Sequence, residues 1–131
     1  MILRAPGLPP GRCGEPASLV DVTATILNLT HTPVPAHLDG VDLRTLTTTP
    51  PGRTLFVDTW RFDHHGKTYF DAVGAIEKDR KITYSLLDGD WGAYRLSGMD
   101  ETFVQAPPDF KPLEERLTRA LEETGLVVLN P

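Results

Sequence analysis

The densest run of chemistry-bearing side chains is Trp60-Arg61-Phe62-Asp63-His64-His65-Gly66-Lys67. A loop that carries an indole, a guanidinium, a carboxylate and imidazoles together can line a pocket for an anionic or sugar-like ligand. The plainer alternative is an exposed loop with ordinary histidines. His64 and His65 are adjacent, so on extended backbone their side chains diverge and do not readily share one metal; the H-E-x-x-H zinc pattern is absent. A small metal site drawing on His31, His37, His64 or His65 is a third and weaker alternative. Two acidic turns, Asp39-Gly40-Val41-Asp42 and Asp88-Gly89-Asp90, each bring two carboxylates, too few for a dense calcium loop. They read as turn chemistry, in which Asp-Gly supplies the positive φ of a tight turn. Cys13 lies beside Arg12 in a glycine- and proline-containing loop, which suggests an exposed thiol, but no Cys/His/Asn arrangement surrounds it. There is no G-x-S-x-G, no P-loop and no G-x-G-x-x-G.

Composition narrows the classes further. The chain has 131 residues, 40% hydrophobic and 24% charged, enough to build one core. Thirteen Lys and Arg against eighteen Asp and Glu give a net charge of −5, which argues against nucleic-acid binding through a basic face. No apolar run approaches the roughly 20 residues of a membrane span, and the expectation is that there is no signal peptide. The single cysteine excludes an internal disulfide and any zinc site built on several thiolates, and leaves the compartment unread.

The elements that must position these residues are marked off by clustered glycine and proline. Breakers at Pro6–Gly11, Thr32–Pro35, Thr49–Gly52 and Ala106–Pro108 divide the chain into four structured pieces. In Ser18–Thr30, Leu19, Val22, Ile26 and Leu29 recur at helical spacing, and Ser18 or Asp21 is available as a cap. Arg53–Trp60 is aromatic and β-branched and predicts a strand. Tyr69–Leu96 predicts a three-strand meander over 70–76, 81–86 and 91–96, with turns at 77–80 and 88–90. Asp109–Thr124 predicts a helix with the stripe Leu113, Leu117, Ala120 and Leu121, capped by Asp109 and stopped by Gly125. Such a helix is the natural cover for one face of the sheet. Met1-Ile2-Leu3 is apolar and reads as the end of a buried strand without a visible partner.

The order of these pieces carries a resemblance. Ile2-Leu3-Arg4-Ala5-Pro6-Gly7 resembles the P-L-I-I-R-x-P-G stretch of the sulfatase family, within the alkaline phosphatase-like superfamily. Ser18–Leu27 is similar to that family's S-x-V-D-L-x-P-T-L-L helix, and Leu38-Asp39-Gly40-Val41-Asp42-Leu43 to its L-D-G-x-S-L. Ala72-Val73 through Lys81-Ile82 resembles A-V-R-T-G-R-Y-K-L-I. Trp91-Gly92-Ala93-Tyr94-Arg95-Leu96 followed by Asp100-Glu101-Thr102 resembles W-E-L-Y-D-L … D-P-x-E-T. The departures are Ala24 where proline is usual, Arg95 where aspartate is usual, and Ser97-Gly98-Met99 in place of a shorter acidic link.

The resemblance implies an α+β chain. Residues 1–52 would be the edge of a large α/β domain, with a short strand, a loop and a helix. Residues 53–131 would be a C-terminal subdomain, a small antiparallel sheet covered by a terminal helix. It also implies that the catalytic parts lie elsewhere. The family's nucleophile is a formylglycine made from the cysteine of C-x-P/A-x-R. Cys13 has Glu15 two residues on and Ala17 four on, so it is not that cysteine. The family's divalent cation, calcium, and its sulfate-contacting residues would all precede Met1. No catalytic or metal residue is therefore assigned here. The implied partners are an upstream catalytic portion and a sulfate ester, with Trp60, Asp63, His64 and His65 as the candidates to face its leaving group. The alternative is a stand-alone binding or assembly module derived from the same subdomain.

Overall fold

Leu113, Leu117 and Leu121 stand four residues apart, which places them on one face of a helix. In the computed structural model they are 0, 2 and 4% exposed on a helix, Lys111–Glu123, that ends at Gly125 with φ +75°. The structure describes residues 2–6, 8–46, 53–62, 68–105 and 107–125, with backbone alone for 60–62 and 68–71. The chain divides into two compact units, Met1–Pro51 and Gly52–Pro131.

The second unit is a five-stranded antiparallel meander: β1 Leu55–Phe62, β2 Thr68–Glu77, β3 Arg80–Ser85, β4 Trp91–Ser97 and β5 Asp100–Val104, neighbours in that order. A 3-10 turn, Pro108–Phe110, then leads into the C-terminal helix. The fold class is thus α+β, a small antiparallel sheet with a C-terminal helix, as the sequence implies. Alternation sets its faces. Val73 and Ala75 of β2 and Ile82 and Tyr84 of β3 are buried and cluster with Leu113, Leu117 and Leu121. Each leucine so buried contributes about 1.5–3 kcal/mol.

Short turns fix the register. Lys78-Asp79 joins β2 to β3, with Lys78 at φ 56°, and Gly98-Met99 joins β4 to β5, with Gly98 at φ 64°. The strand β5 is absent from the sequence reading, because its first residues, Asp100 and Glu101, are acidic and its run is short.

Asp109 does not cap the helix. No side-chain cap bond forms there, and its carboxylate accepts from Arg95, which also pairs with Asp79 and lies over the Phe110 ring. A charged donor within reach competes better for the carboxylate than a neutral backbone N–H.

The first unit is built around α1, Val20–Leu29. Its buried residues are Asp21, Ala24 and Thr25, while Leu19, Val20 and Ile26 are exposed, so the apolar stripe is not its buried face. The helix closes with His31 at φ 55° and the pair of bonds Thr32 N–H to Leu27 O and His31 N–H to Asn28 O, a left-handed cap. The strand expected at the start does not form: residues 2–5 are irregular, and Ile2 is almost fully exposed. A lone strand has no ladder to satisfy its backbone groups, so nothing holds Ile2 and Leu3 extended.

Candidate functional site

Two places in the described residues go beyond ordinary packing. The first joins the two motifs Ser18-Leu19-Val20-Asp21 and Leu38-Asp39-Gly40-Val41. Asp21 is fully buried. Its Oδ2 accepts from the Ser18 backbone N–H at 2.8 Å, the reach-back half of a capping box. Its Oδ1 accepts from the Val41 N–H at 2.9 Å. One turn on, the Thr25 hydroxyl donates to Asp21 O at 2.7 Å and accepts from the Leu43 N–H at 2.9 Å. The polar face of α1 therefore clamps the segment 41–43. Gly40 makes the close approach possible: a Cβ there would stand 2.2 Å from Val20 O, so no other residue fits without movement. A buried carboxylate is tolerable only when hydrogen-bonded, and here both oxygens are.

The second place is a recess of about 410 Å³ in the sheet unit. Strands are about 4.8 Å apart and a helix is about 10 Å wide, so one helix covers about two strands. The C-terminal helix lies against β2, and the recess opens beside it along β4 and β5. The lining includes Ile82, Ala93 and Val104, with Trp91, Gln105 and Glu114 around them. Trp91 is fixed by its cross-strand partner Tyr84, their ring centroids 4.8 Å apart. Glu114 belongs to the first turn of the helix, where a carboxylate is favoured by the helix dipole. Four separate segments supply this lining, so no local motif reveals it.

Of the residues expected to face a ligand, Trp60 stands on β1 opposite Phe70, next to the register shift between Thr59 and Trp60. Asp63, His64 and His65 lie outside the described residues. Among the described residues no group of three or more His, Cys, Asp or Glu side chains is placed to hold a metal ion. His31 serves as the left-handed cap of α1, and His37 is exposed.

The acidic turns are engaged locally. Asp42 chelates the Arg44 guanidinium and accepts its backbone N–H, and the Arg44 hydrogen bond holds the Asp42 carboxyl below the usual aspartate range. Asp88 accepts from the Ser85 hydroxyl, beside Gly89 at φ +75°. Cys13 is exposed, as the sequence suggests, and its thiol donates to Leu46 O at 2.8 Å. No described helix is long and apolar enough to cross a membrane. In comparisons with known proteins, no family model, no curated protein and no solved structure matches the chain.

Proposed function

We propose that this chain is the C-terminal, non-catalytic portion of a sulfatase-like sulfuric ester hydrolase. One observation supports it most. The S-x-V-D and L-D-G motifs of the resemblance, 17 residues apart from Asp21 to Leu38, meet through the Asp21–Val41 hydrogen bond and the Gly40–Val20 approach. Residues that a family would share for a structural reason are thus given that reason here. Two further motifs fall on the sheet, Ala72-Val73 on β2 with Lys81-Ile82 on β3, and Trp91 through Leu96 on β4 with Asp100 through Thr102 on β5, while the first, at Ile2, forms no strand over residues 2–5.

On this proposal the chain performs no bond-breaking step. A formylglycine and a divalent cation, calcium, would be supplied by an upstream catalytic portion, and none of the residues in this chain is assigned to hold them. The chain's own contribution is architectural, with Trp60, Asp63, His64 and His65 as the residues proposed to face the leaving group of the ester. The decisive experiment assays the purified chain against an aryl sulfate with calcium present, alone and after co-expression with the reading frame immediately upstream. Activity only in the second case, with a Cys-x-Pro-x-Arg in that frame, supports the proposal. Turnover by the chain alone, well above blank, refutes it.

A second proposal, a stand-alone binding or assembly module, is favoured by the sheet unit's own core, seven buried residues among those described. It requires the chain by itself to be monodisperse and to unfold cooperatively. Aggregation with strong dye binding would oppose it.

A further inference from the structure

We infer that the recess between β4, β5 and the C-terminal helix is a binding site for a small organic cation, an ammonium carried on an aromatic or short apolar body. This goes beyond the sulfatase-like proposal and does not depend on it. The floor of Ile82, Ala93 and Val104 is apolar, and the Trp91 indole beside it is held in place by Tyr84. A volume of about 410 Å³ falls within the range of small-ligand pockets.

Among the described residues Glu114 is the one charged residue in the lining. It is half-buried, and among the described residues it makes no hydrogen bond or ion pair. Three other carboxylates of the sheet unit are paired, Glu77 with Arg116, Glu101 with Lys81 and Asp109 with Arg95. Those of the same helix that, like Glu114, have no partner among the described residues, Glu115, Glu122 and Glu123, are exposed and outside the recess.

Those features select the ligand. An anion is repelled by Glu114. A neutral apolar molecule would desolvate the carboxylate further and offer it nothing, which costs free energy. A divalent metal ion needs several oxygen ligands, and the recess supplies one carboxylate. An ammonium satisfies the carboxylate by a charge-assisted bond, and an indole face adds attraction for a cation. The ring or alkyl body then fills the apolar floor.

The test titrates the full chain, labelled with nitrogen-15, with 2-phenylethylammonium, and follows backbone amides and the Trp91 indole N–H. A Trp60→Phe variant assigns which indole signal is which. The expected result is saturable shifts at residues 91–93 and 103–105. Glu114→Gln should weaken binding about tenfold, the scale of a lost charge-assisted contact. The neutral isostere 2-phenylethanol should bind the unaltered chain about tenfold more weakly for the same reason. A well-dispersed spectrum of Glu114→Gln separates lost binding from lost folding, and Glu114→Asp, which keeps the charge, should retain most of the affinity. The inference is overturned if the shifts do not saturate or map elsewhere, if Glu114→Gln binds equally well, or if the alcohol matches the amine.

Discussion

Gly40→Ala is the substitution whose sign the structure predicts against the usual expectation. Where backbone φ is compatible, replacing glycine by alanine stabilises a protein by about 0.4–1 kcal/mol, because the unfolded chain loses freedom. Gly40 is not among the described glycines with positive φ, so torsion alone would permit alanine. Space does not. The new methyl would sit 2.2 Å from Val20 O and 2.7 Å from Val20 C, both backbone atoms of α1. Ordinary contact requires the loop to retreat by about 1 Å or more.

The Val41 N–H to Asp21 Oδ1 bond, now 2.9 Å, would stretch past hydrogen-bonding range. A lost bond to a charged group costs about 1.5–3 kcal/mol, and one oxygen of a fully buried carboxylate is left without that donor. Set against the entropic gain, the net destabilisation is about 0.5–2.5 kcal/mol. Gly14→Ala is the internal control. Its Cβ would meet nothing within 4 Å and its φ is also outside the positive range, so it should be neutral or stabilising by up to about 1 kcal/mol.

Urea unfolding measures both, and amide exchange at Val41 and Leu43 reports the clamp directly. If Gly40→Ala is as stable as the unaltered chain and the Val41 amide keeps its protection, the reasoning about this contact is wrong.

Two further outcomes follow from the described contacts. Leu117→Ala should cost about 2–5 kcal/mol in urea unfolding of the sheet unit, since Leu117 is 2% exposed in the core; a cost below about 1 kcal/mol would mean the helix does not pack as described. The Asp42 carboxyl should titrate below the ordinary aspartate range in carbon-detected spectra and move up toward it in Arg44→Gln. A carboxyl depressed in the folded state adds stability above the unfolded value and loses it as pH falls through the folded one, so Arg44→Gln should flatten that acid limb. An Asp42 titration indifferent to Arg44 would refute the pairing.

What was legible in the sequence is what depends on local periodicity. Leu113, Leu117 and Leu121 announce their helix because its burial follows a single stripe, and the hairpins around Lys78-Asp79 and the alternating strands show their turns. The start of the C-terminal helix is not legible in this way, because Asp109 answers to Arg95, 14 residues away in the chain. The buried face of α1 is hidden from the sequence for a related reason. Hydropathy ranks Leu19 and Ile26 above Asp21 and Thr25, yet the polar pair is buried, because loop amides from 41 and 43 satisfy it. Both come from partners distant in sequence, which a pattern of spacing does not contain.

The same contrast bears on the functional proposals. The recess is assembled from residue 82, residues 91–93, residues 103–105 and residue 114, so only the folded chain puts one carboxylate beside an apolar floor. The clamp is the opposite case. Its two halves are visible as short motifs, Ser-x-x-Asp and Asp-Gly, but each alone is ordinary capping or turn chemistry. Together they gain meaning: an aspartate two residues into a helix accepts from Ser18 on one oxygen, and a glycine with no room for a Cβ brings the Val41 amide to the other. Asp21→Asn tests that coupling. The amide keeps one acceptor but turns an –NH₂ toward a backbone N–H, whichever way it flips, so one of the two bonds must fail. Loss of exchange protection at Val41 or Ser18, with the sheet unit's amides unchanged, is the expected pattern. Unaltered protection at both would show that the carboxylate is not what joins the two motifs.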